Sequence, residues 1–147
     1  MTTNSLPPTA RLAFDCVVLS VLDRKLHIAL ARRHATNEIG LADPFPGGYS
    51  LPGGYVRDDE SIAQTIKRRL APEIGLTLNP VHFGVFDDPK RDPRHRVVSI
   101  AYLALIPSDQ AGRLRWSHAY DNGQWHAVEQ MPKRNWAFDH QEIAKQA

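Results

Sequence analysis

The sequence predicts an α+β domain built on a mixed sheet. Three observations carry this. Short runs that are apolar, or that alternate apolar with polar residues, recur along most of the chain, and that is the pattern of strands. One stretch with helical spacing lies near the centre and another closes the sequence. With 147 residues, 42% of them apolar and 23% charged, the chain has the size and composition of one globular domain with a core.

The elements follow in order. Residues 1–11 are polar and proline-containing and read as a flexible tail, with residues 12–147 as the domain. Phe14–Leu22 is almost continuously apolar and breaks at Asp23-Arg24-Lys25. Leu26–Arg33 then alternates, with Leu26, Ile28 and Leu30 on one face. The two runs read as a β-hairpin with a short connection. Residues 34–50 carry Asn37, Gly40, Pro44, Pro46, Gly47 and Gly48, which marks a long loop of the kind that often serves function.

Asp58-Asp59 opens a helix that either carboxylate can cap. Ile62, Ala63, Ile66 and Leu70 form its expected buried stripe. Pro72 has no amide to give the Arg68 carbonyl and pushes Ala71 away from helical angles, so the helix is expected to end or kink near Leu70–Ala71. Val81–Phe86 and Val97–Ile106 read as strands flanking the charged loop DDPKRDPRHR. After a turn at 107–112 come weaker strands at Leu114–His118 and Gln124–Val128. Asp139 then caps a terminal helix, with Glu142 three residues later, close to a capping box.

Composition excludes several classes. A net charge of +2 is too small for general nucleic-acid or membrane attraction. No apolar run approaches ~20 residues, and the N-terminus lacks the basic and apolar regions of a signal peptide. The cytoplasm is the expected location. Cys16 is the single cysteine and reads as an inert core residue. No helix-turn-helix pattern or basic stripe is present, so direct DNA binding by this chain is not expected. Arginine outnumbers lysine 13 to 5, and its planar fork of donors matches phosphate and carboxylate oxygens.

The most informative stretch is Leu51–Leu76, LPGGYVRDDESIAQTIKRRLAPEIGL. Gly53-Gly54 lets the backbone turn tightly and come close to a ligand. Glu60 follows Gly54 by six positions, Arg68 follows Glu60 by eight, and Glu73-Ile74-Gly75-Leu76 closes the segment. This layout resembles the Nudix box, a loop–helix–loop in which Gly54, Glu60, Arg68, Leu70, Glu73, Gly75 and Leu76 match in type and spacing. The likeness reaches beyond it: PFPGGYSLPGGYV at 44–56, FDDPKRDPRHRVVSIAYLALIP at 86–107 and WAFDHQEIAKQA at 136–147 are similar to ADP-ribose pyrophosphatase-like proteins and the Nudix-related transcriptional regulators of NAD metabolism. The resemblance covers nearly the whole chain from about Ala10.

The resemblance implies the Nudix fold, a mixed β-sheet sandwiched by helices (α/β/α). It also implies a site in which helix glutamates hold Mg²⁺ against a substrate diphosphate, since Mg²⁺ wants hard oxygen ligands. Here Arg69 and Pro72 occupy two glutamate positions, and Glu73 alone remains as a residual catalytic and metal-binding carboxylate. Losing about 4 kcal/mol of metal stabilisation would slow the chemistry about a thousandfold. The leading expectation is therefore a domain that binds ADP-ribose or a related nucleoside diphosphate, with catalysis lost or weak and no cofactor required. Arg69 would supply the positive charge, and the domain would act as a sensor like those of the regulators. An active Mg²⁺-dependent ADP-ribose pyrophosphatase, with Glu38, Asp87, Asp88 or Glu129 as added ligands, stays open. So does a non-catalytic dimerisation scaffold. In the regulators a C-terminal winged-helix domain follows, which this chain does not reach; a longer regulator and a stand-alone domain are both compatible.

Ligand contacts are expected from Arg32, Gly53, Gly54, Arg57, Arg69, Phe86, Arg91, Arg94 and Arg96, with Glu60, Arg68 and Gly75 as the motif's frame. Arg33 and Phe45 are weaker candidates. For the three arginines of the 87–96 loop the competing reading is ion pairing with Asp87, Asp88 and Asp92. A homodimer is expected, and no membrane association. His34, His95, His118, His126 and His140 show no metal-ligand spacing, and Trp116, Trp125 and Trp136 read as packing residues.

Overall fold

The computed structural model describes residues 6–36, 40–74, 78–114 and 120–147, without the side chains of residues 71–74 and 120–122. Strand β1 (Arg11–Leu22) is the axis of the molecule and turns into β2 (Lys25–Arg33). Asp23 and Arg24 both adopt positive φ, 50° and 64°, the turn whose twist matches the two strands it joins. The short strands β3 (Tyr49–Ser50) and β4 (Gly53–Tyr55) follow. Helix α1 (Ile62–Ile74) comes next, then β5 (Val81–Phe86), β6 (Val97–Leu105), β7 (Tyr120–Ala127) and α2 (His140–Gln146).

The sheet runs β3-β2-β1-β6-β5, with β4 on β1 and β7 on β2. It is mixed, because β1 and β6 are parallel and the other pairings antiparallel. One edge of β1 is shared. Leu19–Leu22 pairs with β2, whereas Ala13–Asp15 pairs with β4. Further along, Ala31 and Arg32 of β2 pair with β3. The β3–β4 segment is thus inserted where β1 and β2 diverge, and the Cys16 amide bonds to the Pro52 carbonyl at 2.8 Å to close the join.

Alternation along β1 divides the core between two faces. Phe14, Cys16 and Val18 pack beneath α1 with Ile66, Leu70, Ala104 and Ile106. Val17 and Leu19 pack with Ile28, Leu30, Leu51, Ile143 and Ala144 on the α2 side. The predicted α/β/α sandwich is what forms. Cys16 is fully buried, and burial together with the charge on Asp15 pushes its thiol up to about 12, so it is inert.

Four local expectations are corrected. Asp58 and Asp59 do not cap α1: Ser61 does, accepting the Gln64 amide at 3.2 Å while Gln64 Oε1 takes the Ser61 amide at 2.8 Å. This reciprocal pair satisfies the free amides of the first turn. Ala63 is exposed, and Thr65 takes its place in the buried stripe with Ile66 and Leu70. The helix also continues past Pro72 to Ile74. Proline in the last turn forfeits one amide bond, which the burial of Ile66 and Leu70 outweighs. At α2, Asp139 occupies the cap position without a side-chain cap bond, because its carboxylate is taken by Arg91. Residues 115–119, which include most of the strand expected at Leu114–His118, lie outside the described residues, and the next strand starts at Tyr120.

Candidate functional site

The loop from β4 to α1 is held by one carboxylate. Glu60 accepts Arg68 in a two-pronged bond (Nε 3.0 Å, Nη2 2.6 Å), the Thr65 hydroxyl at 2.8 Å and the Arg57 amide at 3.0 Å. Its side chain is 11% exposed. The Arg68 bond is the largest reason its carboxyl falls from 4.5 to about 2. Arg68 also donates to the Tyr55 carbonyl at 3.2 Å. The frame residues thus clamp α1 to the strand that carries the glycines.

Each glycine has a steric reason. A Cβ at Gly53 would lie 2.2 Å from the Phe14 carbonyl and 2.7 Å from Asp15 Oδ1, so no side chain fits between β4 and β1. A Cβ at Gly54 would lie 2.6 Å from Arg69 Nε and 3.2 Å from its Cγ. Gly54 is therefore the seat of the Arg69 side chain. The half-buried Arg69 reaches back along β4, with Nη2 3.4 Å from the Gly53 carbonyl.

Behind the glycines lies a buried polar network. Asp15, 7% exposed, accepts the Ser99 hydroxyl at 2.6 Å and His140 Nε2 at 3.1 Å. His140 Nδ1 in turn accepts the Leu51 amide at 3.0 Å. With Nδ1 taking the Leu51 amide, Nε2 is the nitrogen that donates to Asp15. Burial pushes the Asp15 carboxyl up, but His140, Ser99 and Arg91 outweigh it and the net shift is down. Arg91 binds Asp139 through two bonds, 2.9 and 2.7 Å, and lies 3.5 Å from Asp15. It is 8% exposed and faces inward. Sequence reasoning missed Asp15, Ser99 and His140. The available signal was an aspartate inside an otherwise apolar strand.

The remaining candidates separate. Arg32 stacks 4.5 Å above the Tyr49 ring, donates to the Gly47 carbonyl, and lines a cleft of about 360 Å³ with Phe45, Asn135 and Trp136. Arg57 and Arg96 line a different cleft at the start of β1. Arg94 is bound to Asp92 through two bonds, 3.0 and 2.8 Å, as the ion-pair reading expects. Arg96 instead donates to the Asp87 carbonyl. Arg33 is bound to Asp43. Phe86 packs against the core on the α2 side.

The described residues do not fit a divalent cation. Among them no three of His, Cys, Asp and Glu converge. Of the added carboxylates considered, Glu129 is bound to Lys25 at 2.7 Å, and Asp88 takes the Lys90 amide within its own loop. Glu38 and Gly75 lie outside the described residues, as does the Glu73 side chain. What the geometry presents beside the glycines is a cation, Arg69.

Comparison with known proteins identifies the family and the fold. A family profile described as NUDIX domain matches residues 10–147. An ADP-ribose pyrophosphatase of Methanocaldococcus jannaschii is 32% identical over 104 residues, which is 70% of this chain and 59% of that protein. The ADPR responsive transcriptional repressor NtrR of Acinetobacter baylyi is 28% identical over 143 residues, 95% of this chain and 54% of that protein. Among solved structures, the NUDIX domain of Shewanella oneidensis NrtR complexed with ADP ribose matches with a TM-score of 0.79 and 26% identity, over 97% of this chain and 91% of that one. This chain spans little more than half the length of the two curated relatives. With the profile running from residue 10 to residue 147 over this fold, the chain belongs to the NUDIX domain family.

Proposed function

We propose that this domain binds ADP-ribose or a closely related nucleoside diphosphate without a metal ion, and that it hydrolyses its ligand weakly or not at all. The observation that carries the reading is Arg69 seated on Gly54 beside the Gly53 carbonyl, in place of a carboxylate. A fixed guanidinium donates to phosphate oxygens directly, while a site where, among the described residues, no carboxylates converge gives Mg²⁺ few of the oxygen ligands it requires. Relatives named for ADP-ribose, one a pyrophosphatase, one a repressor and one a NUDIX domain solved with the ligand, support the ligand class. The repressor supports a sensor role for the domain within a cytoplasmic regulator.

Calorimetry with ADP-ribose in EDTA tests binding. Saturable binding that Arg69→Glu weakens at least tenfold is expected; binding that EDTA abolishes, or that the substitution leaves intact, overturns the reading. Phosphorus NMR of ADP-ribose with protein and Mg²⁺ tests turnover. Rapid appearance of two phosphate monoester signals favours the enzyme reading that the Methanocaldococcus relative's name supports, with Glu73 as its residual carboxylate.

For assembly we propose a homodimer. Val21 and Leu26, paired across the hairpin, and Leu105 and Val81 leave an apolar stretch exposed on the α2 side beyond that short helix. A second copy would remove it from water. Sedimentation equilibrium of the chain and its Leu105→Glu variant tests this.

A further inference from the structure

We propose that the cleft between the start of β1 and the loop leading into α1 is a second anion site, separate from the Arg69 seat, which takes an aromatic phosphate monoester of the mononucleotide type. The arginines of the fold divide by how their charge is used. Arg33, Arg68, Arg91 and Arg94 are each bound through two nitrogens to one carboxylate, on Asp43, Glu60, Asp139 and Asp92. Their charge is neutralised within the fold.

Three other arginines, Arg11, Arg57 and Arg96, line this cleft of about 610 Å³. Among the described residues, the guanidinium groups of Arg11 and Arg57 have neither a hydrogen bond nor an ion pair. Arg96 is held by the Asp87 carbonyl, which orients a guanidinium without cancelling its charge. Against these three stand Asp58 and Glu60, and Glu60 is already neutralised by Arg68. The cleft therefore carries an excess of two positive charges, the complement of a phosphate monoester near pH 7.

One wall of the cleft is aromatic. The rings of Tyr55 and His95 lie 6.0 Å apart at 41°, joined by a 3.1 Å bond between the phenol and His95 Nε2. Arg94 Nη2 also donates to that phenol at 3.1 Å. The wall is thus fixed before any ligand arrives, and a flat face beside unspent guanidinium groups suits a base or phenyl ring attached to phosphate. Backbone bonds from Arg11 to the Arg96 carbonyl and from Val56 to the Leu12 carbonyl, both 2.9 Å, hold the floor. Neither glycine of β4 nor Arg69 lines this cleft.

The test is NMR of ¹⁵N-arginine-labelled protein in EDTA, titrated with inorganic phosphate and then with phenyl phosphate. Expected are saturable shifts of the Arg11 and Arg57 side-chain signals and binding of phenyl phosphate on the order of tenfold tighter than of phosphate, from stacking. Arg11→Gln/Arg57→Gln should lose at least tenfold in affinity with unchanged circular dichroism. Arg24→Gln, in the exposed hairpin turn, should change nothing, and Arg69→Glu should leave these shifts intact. Linear, non-saturating shifts shared with Arg24, equal affinity for the two probes, or loss of the response in Arg69→Glu would each overturn the proposal.

Discussion

His140 in α2 accepts the backbone amide of Leu51 at 3.0 Å, so the C-terminal helix holds the strand that leads into the glycines. The other imidazole nitrogen donates to Asp15. His140→Ala removes both contacts, which leaves the Leu51 amide without its acceptor and the buried Asp15 carboxylate with Ser99 and Arg91 alone. A loss of about 3 kcal/mol is expected in urea unfolding. The native-state exchange of the Leu51 amide should accelerate more than that of amides in β5.

Gly53 and Gly54 should respond differently to alanine. At Gly53 the new methyl meets the Phe14 backbone at 2.2 Å, and backbone cannot yield without disturbing the β1–β4 pairing. Gly53→Ala is expected to cost about 3 kcal/mol or more. At Gly54 the obstacle is the Arg69 side chain, which can swing away. Gly54→Ala should change the urea midpoint little and weaken ADP-ribose binding in calorimetry to a degree comparable with Arg69→Glu.

Restoring carboxylates should restore metal affinity. Arg69→Glu/Pro72→Glu places three glutamates at positions 69, 72 and 73, three and four apart on a helix, where they share a face. Electron paramagnetic resonance is expected to show bound Mn²⁺ in this variant at concentrations where the parent chain binds none. Removing proline from the last turn of α1 should also raise its thermal midpoint.

Acid should unfold the protein through defined groups. Glu60, lowered from 4.5 to about 2, and Asp15, lowered from 3.8, are both held below their ordinary values. A depressed carboxyl contributes its full stability above the ordinary value and loses it as pH falls through the folded one. The urea midpoint should hold above pH 5 and decline between about pH 4.5 and pH 2. Glu60→Gln should flatten that decline while lowering stability at pH 7.

The fold was largely legible because its strands are short apolar or alternating runs broken by turn residues. The hairpin at Asp23-Arg24, the strand Val81–Phe86 and the terminal helix stand at or near their expected places. Boundaries set by side-chain geometry were harder to read. Ser61 and Gln64 start α1 together, and two aspartates upstream were the stronger composition signal. Motif spacing named Glu60 and Arg68 together as the frame, and they meet because the loop before α1 brings Glu60 back onto the helix face that carries Arg68. Spacing did not place Arg91 against Asp139, because a pairing 48 residues apart depends on how α2 crosses the sheet. Ser99 and Asp15 meet only because β1 and β6 run parallel in one register.

The insertion of β3–β4 between β1 and β2 has a consequence for binding thermodynamics. The glycine segment is bonded to β1 on one side, to β2 through β3, and to α2 through Leu51. Such a segment has little freedom left to lose when a ligand arrives. Affinity at Arg69 is then governed by the rotamers of one long side chain rather than by closure of a loop. Binding there should be fast, with an unfavourable entropy of only side-chain size.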